Sequence, residues 1–299
     1  MSDDPALADR DLRILLPDPL RLGEGPLWDA ARGRFCFVDI EGRRIHEMAV
    51  DGGDHRSWAA PDRPTALGLT RSGRLIVSLA HGIAFFDRDT GVFTPFVAVD
   101  TGAVTTRLND GKVGPDGAFW VGSIDERSPR GPVAALYRIT GDGRVEPKID
   151  GLAVSNGLAW SADGRTMFHT DTRGPWIDRW RFDPASGAID QRTRIATLDD
   201  TVGRPDGGAC DVEGCYWSAG VSAGRLNRFD RDGHLLSSWR LPVAAPTMPC
   251  FGGSTMERLL VTSLAHDLTP ERLASGPASG RPIALDAGVA GVGAFLFAD

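Results

Sequence analysis

One short pattern recurs six times along this chain, and that recurrence restricts the fold more than any other feature. A turn residue opens an apolar strand at Gly33 (GRFCFVD), Gly73, Gly117 (GAFWVGS), Gly164 (GRTMFHT), Gly214 (GCYWSAG) and, with glycine replaced, Glu257 (ERLLVTS). These anchors lie 40, 44, 47, 50 and 43 residues apart. After most of them a second strand pattern closes in another turn, as in GIAFFDRDTG, IDRWRFDPASG and RLNRFDRDG. Short strands separated by turns within such a period make one β-propeller blade. Six anchors therefore predict an all-β, six-bladed β-propeller with four antiparallel strands per blade, in a single domain over residues 1–299. The 37 glycines and 20 prolines are spread as turn punctuation, and no helical periodicity competes. The ring is expected to close through strands from both chain ends, LRILL (12–16) and GAFLF (293–297), sharing the blade that contains Glu257. Residues 1–11 read as a loose extension.

The repeat also locates a site. Asn109, Asn156 and Asp206 each lie eight positions ahead of their anchor, and Glu24 lies nine ahead of its own. Equal phase means equivalent places in the architecture, so these side chains should converge on the propeller axis. The second and sixth blades offer Thr65 and the Pro249-Cys250 pair there instead. Asparagine occurs only at positions 109, 156 and 227, and lysine only at 112 and 148. Against that bias, an asparagine is a weak candidate for surface filler.

Glu24, Asn156 and Asp206 offer oxygen donors from three blades. Two carboxylates offset the charge of a divalent cation and an amide adds a neutral ligand. An all-oxygen shell suits calcium, magnesium or manganese, and zinc also accepts carboxylates. Three protein ligands leave positions for water and substrate, as in a catalytic metal site; a structural calcium plugging the channel is the alternative. Arg107 and Asn109 alternate with Leu108, so both should face the channel and bind hydroxyls or a developing oxyanion. Lys112 reads as an anchor for a neighbouring loop.

Other classes find no support. Net charge is −7 with no basic cluster in the sequence, which argues against nucleic acid. Cys36, Cys210, Cys215 and Cys250 show no CxxC spacing and read as reduced, buried fillers. The acidic N-terminus lacks a signal-peptide core and no stretch has the length of a membrane span, so the expectation is a cytoplasmic protein without a membrane partner. Gly220-Val221-Ser222-Ala223-Gly224 matches GxSxG, but a strand and turn follow it where a nucleophile elbow needs a helix. The six histidines lack metal-type spacing, and His169 reads as a blade residue rather than a base.

The segments LGEGPLWD, RLNDGKVGPDG, SNGLAWSADG, RPDGGACDVEG and MPCFGG resemble the signature segments of the SMP-30/gluconolactonase/regucalcin family, in order, over residues 12–299. The resemblance implies a six-bladed propeller that hydrolyses a sugar lactone around one divalent cation. Calcium is the expected ion, with Zn²⁺, Mn²⁺, Mg²⁺ and Fe²⁺ compatible. By position it makes Glu24, Asn156 and Asp206 metal ligands, Arg107 and Asn109 substrate-binding, and Asp206 the general base. Several members carry a substrate-contacting glutamate where this chain has Arg127, with Glu126 beside it, so both are candidate substrate contacts. The expected partner is a small aldonolactone, for a monomer or weak homo-oligomer. A calcium-dependent phosphotriester hydrolase and a non-catalytic calcium- or sugar-binding propeller are the alternatives.

Overall fold

Strand pairing builds six antiparallel sheets in chain order. The structure, a computed structural model, describes Leu7 and residues 10–99 and 105–299. The blades begin with the strands Gly23–Asp29, Ala66–Thr70, Thr106–Val113, Ser155–Trp160, Pro205–Cys210 and Pro246–Gly252, numbered here blades 1 to 6. Each first strand lies against the first strand of the next blade, and the sixth against the first. That closed ring of inner strands walls a central channel.

The core is correspondingly divided. Six buried apolar clusters form, one at each blade interface. Strand alternation feeds two of them at once: in Phe119–Asp125, Phe119 and Val121 pack toward blade 2 while Trp120 packs toward blade 4. Both faces of a middle strand are buried, which is why these segments read as continuous apolar runs rather than an in–out pattern.

The N-terminal strand Arg13–Ile14 pairs with Ile283–Asp286 and completes blade 6, the blade holding Glu257, as expected. Leu7 is buried in the cluster between blades 5 and 6, and the Arg10 guanidinium lies 4.6 Å from the Trp239 ring. The C-terminal segment does not join that blade. Leu296–Phe297 pairs in parallel with Ala66–Thr70 of blade 2. Before that, Gly291 bridges to Asp211 and Val292 N–H donates to Cys210 O, both in blade 5. Blades 5 and 2 stand opposite each other, so residues 292–295 cross the ring and cover one end of the channel. A short helix, Pro270–Ser275, capped by Thr269, interrupts the last long connection. Among the described residues no helix is long and apolar enough to cross a membrane.

Five of the six inner strands carry a one-residue register shift against their second strand: Glu24 to Leu27, Leu108 to Gly111, Asn156 to Ala159, Pro205 to Gly208 and Pro246 to Pro249. Blade 2 pairs regularly. Such bulges kink a strand and re-aim side chains.

Candidate functional site

The bulges make the site. Glu24 and Asn156 are the last regularly paired residues before the shift, and Asn109 and Asp206 lie within it. Counting from the turn groups Asn156 with Asn109 and Asp206; pairing groups it with Glu24. Gly25 and Gly157 follow these two residues with φ of 54° and 68°, a region where only glycine is unstrained. A Cβ on Gly157 would stand 2.4 Å from the Tyr216 hydroxyl. In blade 6 the shift spans Pro246 to Pro249, so Pro249 and Cys250 lie past the site, and Thr247 occupies the equivalent place, donating to Gly23 O at 2.6 Å. Thr65 is buried against Ser78.

A chain of hydrogen bonds runs across three blades. Arg107 Nη1 donates to Asn109 Oδ1 (3.1 Å), and Asn109 Nδ2 donates to Asn156 Oδ1 (2.8 Å). Asn156 Nδ2 in turn donates to Asp206 Oδ1 (2.6 Å) and Thr172 Oγ1 (2.7 Å). Leu108 turns away into the interface with blade 2, as alternation requires.

The carboxylates are strained electrostatically. Burial, then the charges of Asp206 and Asp110, push Glu24 well above the usual carboxylate range. Burial and Asp110 do the same to Asp206. No ion pair reaches Glu24, Asp110 or Asp206 among the described residues. Asp110 is the member that sequence reasoning missed. Period-two alternation places it with Leu108, but the bulge resets the phase. Its Oδ2 accepts from Leu158 N–H at 3.3 Å, and its buried Oδ1 has no partner among the described residues. Thr172 was missed as well, since nothing in its local sequence marks it.

These residues fit a hard cation. They bring acids that repel one another, an orphaned buried oxygen, and the Asn156 amide, which can present either oxygen or nitrogen. A second acidic group, Asp211, Glu213 and Cys215, also gathers its ligand atoms. There, Asp211 accepts from Trp217 Nε1 and Arg228 Nε, both at 2.8 Å, so an arginine already supplies the positive charge.

The family model described as SMP-30/Gluconolactonase/LRE-like region matches residues 22–265. The chain belongs to this family. It is 33% identical over 287 residues to the 6-deoxy-6-sulfogluconolactonase of Pseudomonas putida, covering 96% of this chain and 98% of that one. Among solved structures, a calcium-binding protein, regucalcin, from Agrobacterium tumefaciens superposes with a TM-score of 0.88 at 28% identity, covering 97% of each chain. A gluconolactonase from Xanthomonas campestris does so with a TM-score of 0.73 at 25% identity, over 94% of this chain and 90% of that one.

The remaining candidate residues of this SMP-30/gluconolactonase family member separate by geometry. Glu126 stands between two arginines: it accepts from Arg107 Nε at 3.1 Å and from Arg63 at 2.8 and 3.1 Å. Arg127 instead folds back on Asp125, with contacts of 2.8 to 3.0 Å. Lys112 crosses the channel to the Gly208 carbonyl of blade 5, further than a neighbouring loop. Ser155 Oγ, in the strand that carries Asn156, lies 2.8 Å from His169 Nε2. Burial lowers His169 to about 3, so the ring is a neutral prop rather than a base. Ser222 of the GxSxG match sits in a turn and accepts from Arg204 N–H.

Proposed function

We propose that this chain is a metal-dependent lactonase that opens an aldonolactone to the free aldonic acid. The observation that carries the reading is the convergence of Glu24, Asp110 and Asp206 in one channel with no ion pair among the described residues, beside the Arg107–Asn109–Asn156 chain. Glu24, Asn156 and Asp206 are the residues that would hold the cation. When bound, a divalent cation supplies positive charge that polarises a carbonyl oxygen. Calcium is assigned first because the similar solved relative is described as calcium-binding; zinc, manganese, magnesium and iron(II) suit the same donors.

The protein's own groups do the rest. Arg107 and Asn109 orient the lactone hydroxyls, and Glu126 fixes the Arg107 fork. Asp206 Oδ1 is engaged by Asn156, leaving Oδ2 to take the proton of the attacking water. As the water oxygen bonds to the carbonyl carbon, the ring carbon–oxygen bond breaks. The proton then passes from Asp206 to the departing ring oxygen.

Asp206→Asn is expected to abolish lactone opening, measured with a pH indicator after subtracting spontaneous hydrolysis, while the circular-dichroism melt stays cooperative. Chelation should do the same to the wild type, and refilling with single metals should identify the ion. Near-normal turnover by the variant, or by the chelated enzyme, would overturn the mechanism. Turnover of a phosphotriester in preference to every lactone would move the reaction class.

A further inference from the structure

Three arginines at the rim of the channel have no acceptor for their guanidinium groups among the described residues. Arg130 lies in the loop after Phe119–Asp125, Arg173 in the loop after Thr166–Asp171, and Arg204 immediately before Pro205–Cys210. The first two loops leave strand ends paired with Thr106 and Ser155, at the starts of the inner strands of blades 3 and 4. All three residues therefore stand at the same end as Asn109, Asn156 and Asp206. None of their guanidinium groups donates to an acceptor or enters an ion pair among the described residues, and Nε of Arg130 and of Arg204 is shielded from solvent without a partner. Arg173 lies within electrostatic reach of both Arg130 and Arg204.

Composition does not force this arrangement. The chain holds 40 acidic against 33 basic residues, and neighbouring rim arginines are matched. Arg63 and Arg107 share Glu126, Arg127 holds Asp125, and Arg272 donates to the carbonyls of Val221 and Ala244. Shielded N–H groups left unpaired destabilise the fold, and the neighbouring like charges add repulsion. The centre below is acidic, so an anion is refused there and accepted only at the rim. The ligand that suits both zones has a neutral electrophilic end and a charged tail.

We propose that Arg130, Arg173 and Arg204 form a subsite for a tetrahedral oxyanion, a sulfonate or phosphate, on the carbon chain of the lactone remote from the scissile ester. Three guanidinium groups from three blades, within electrostatic reach of one another, suit a group with three equivalent oxygens. The proposal rests on the lactonase reading for the neutral end of the substrate alone; the anion site stands on the rim arginines.

The test compares gluconolactone with its 6-phosphate and 6-sulfonate counterparts, using the metal-loaded wild type and Arg130→Gln, Arg173→Gln and Arg204→Gln. Binding of 6-phosphogluconate is followed in parallel by calorimetry. The wild-type preference for an anionic over the neutral lactone, as a ratio of kcat/KM, is expected to be at least about 100 and to fall about tenfold per arginine removed, chiefly through KM. Arg173→Lys should restore part of it. Which anion gives the larger ratio assigns sulfonate or phosphate. A ratio near one in the wild type, or one unchanged in all three variants, overturns the subsite and leaves the lactonase reading intact. Arginine-dependent binding of 6-phosphogluconate with no turnover of any lactone supports the subsite and sinks the lactonase reading instead.

Discussion

The two ends of the central channel are built from the same six strands and are chemically opposite. At the end where the inner strands begin, Glu24, Asn109, Asp110, Asn156 and Asp206 crowd together with raised carboxylates and an unpartnered oxygen. Past the bulges, the same strands present Leu27, Leu67, Val113, Ala209 and Phe251, and Phe295 of the crossing segment closes the space. The first end is held under repulsion for use; the second encloses an apolar cavity beneath the crossing segment. The bulge between them lets one strand serve both purposes. It breaks the two-residue alternation once, so that polar side chains reach the axis on one side while apolar packing between blades continues on the other.

That contrast predicts opposite responses to substitution. At the polar end, Asp110→Asn should lower lactone turnover at least tenfold yet raise the melting temperature of the chelated protein by a few degrees, because it removes a like charge from Glu24 and Asp206. A melting temperature that falls by several degrees would break the repulsion account. At the apolar end, Phe297 is fully buried between blades 2 and 3, and Phe297→Ala should cost about 3–5 kcal/mol in urea unfolding. In the metal-loaded enzyme below the transition, KM should stay near wild type. An unchanged urea midpoint would mean that the C-terminal strand adds nothing to the stability of blade 2.

A smaller effect lies away from both ends. His46 is stacked between Phe37 and His55, and burial, then His55, lowers it to about 4. An unfolded histidine titrates near 6.5. Between those values the unfolded chain binds the proton that the folded chain refuses. Stability therefore falls as pH drops from about 6.5 toward 4 and is unaffected by this residue above that window. The full loss is about 3 kcal/mol at most. Urea midpoints at pH 8 and pH 5 for wild type and His46→Gln should converge at the lower pH; parallel shifts would exclude His46 as the cause.

Much of this was legible in the linear chain. The spacing of Gly33, Gly73, Gly117, Gly164, Gly214 and Glu257 yields the blade count, since every blade needs one such turn between its first two strands. The distance of Glu24, Asn109, Asn156 and Asp206 from those turns brings them to one place, because inner strands start at one end of the ring. Asp110 was not legible, because alternation hides it behind Leu108 and only pairing with the second strand reveals the slip. Glu126 and Arg127 were interchangeable in the sequence, and their partners Arg107 and Asp125 separated them. The C-terminal strand was assigned to the wrong blade: GAFLF has the right pattern for any open edge, and its choice of blade 2 depends on where the chain has already crossed the ring.

By itself, then, the sequence determined the period, the blade number and the phase of the site, all properties of local pattern repeated at near-constant spacing. Tertiary structure decided what depends on distant segments meeting. Those outcomes are the carboxylate trio, the strap across the channel, and the rim on which Arg130, Arg173 and Arg204 assemble although no stretch of the chain is basic. Repeats encode position along a strand. Charge acts through space, and its partners exist only once the ring has closed.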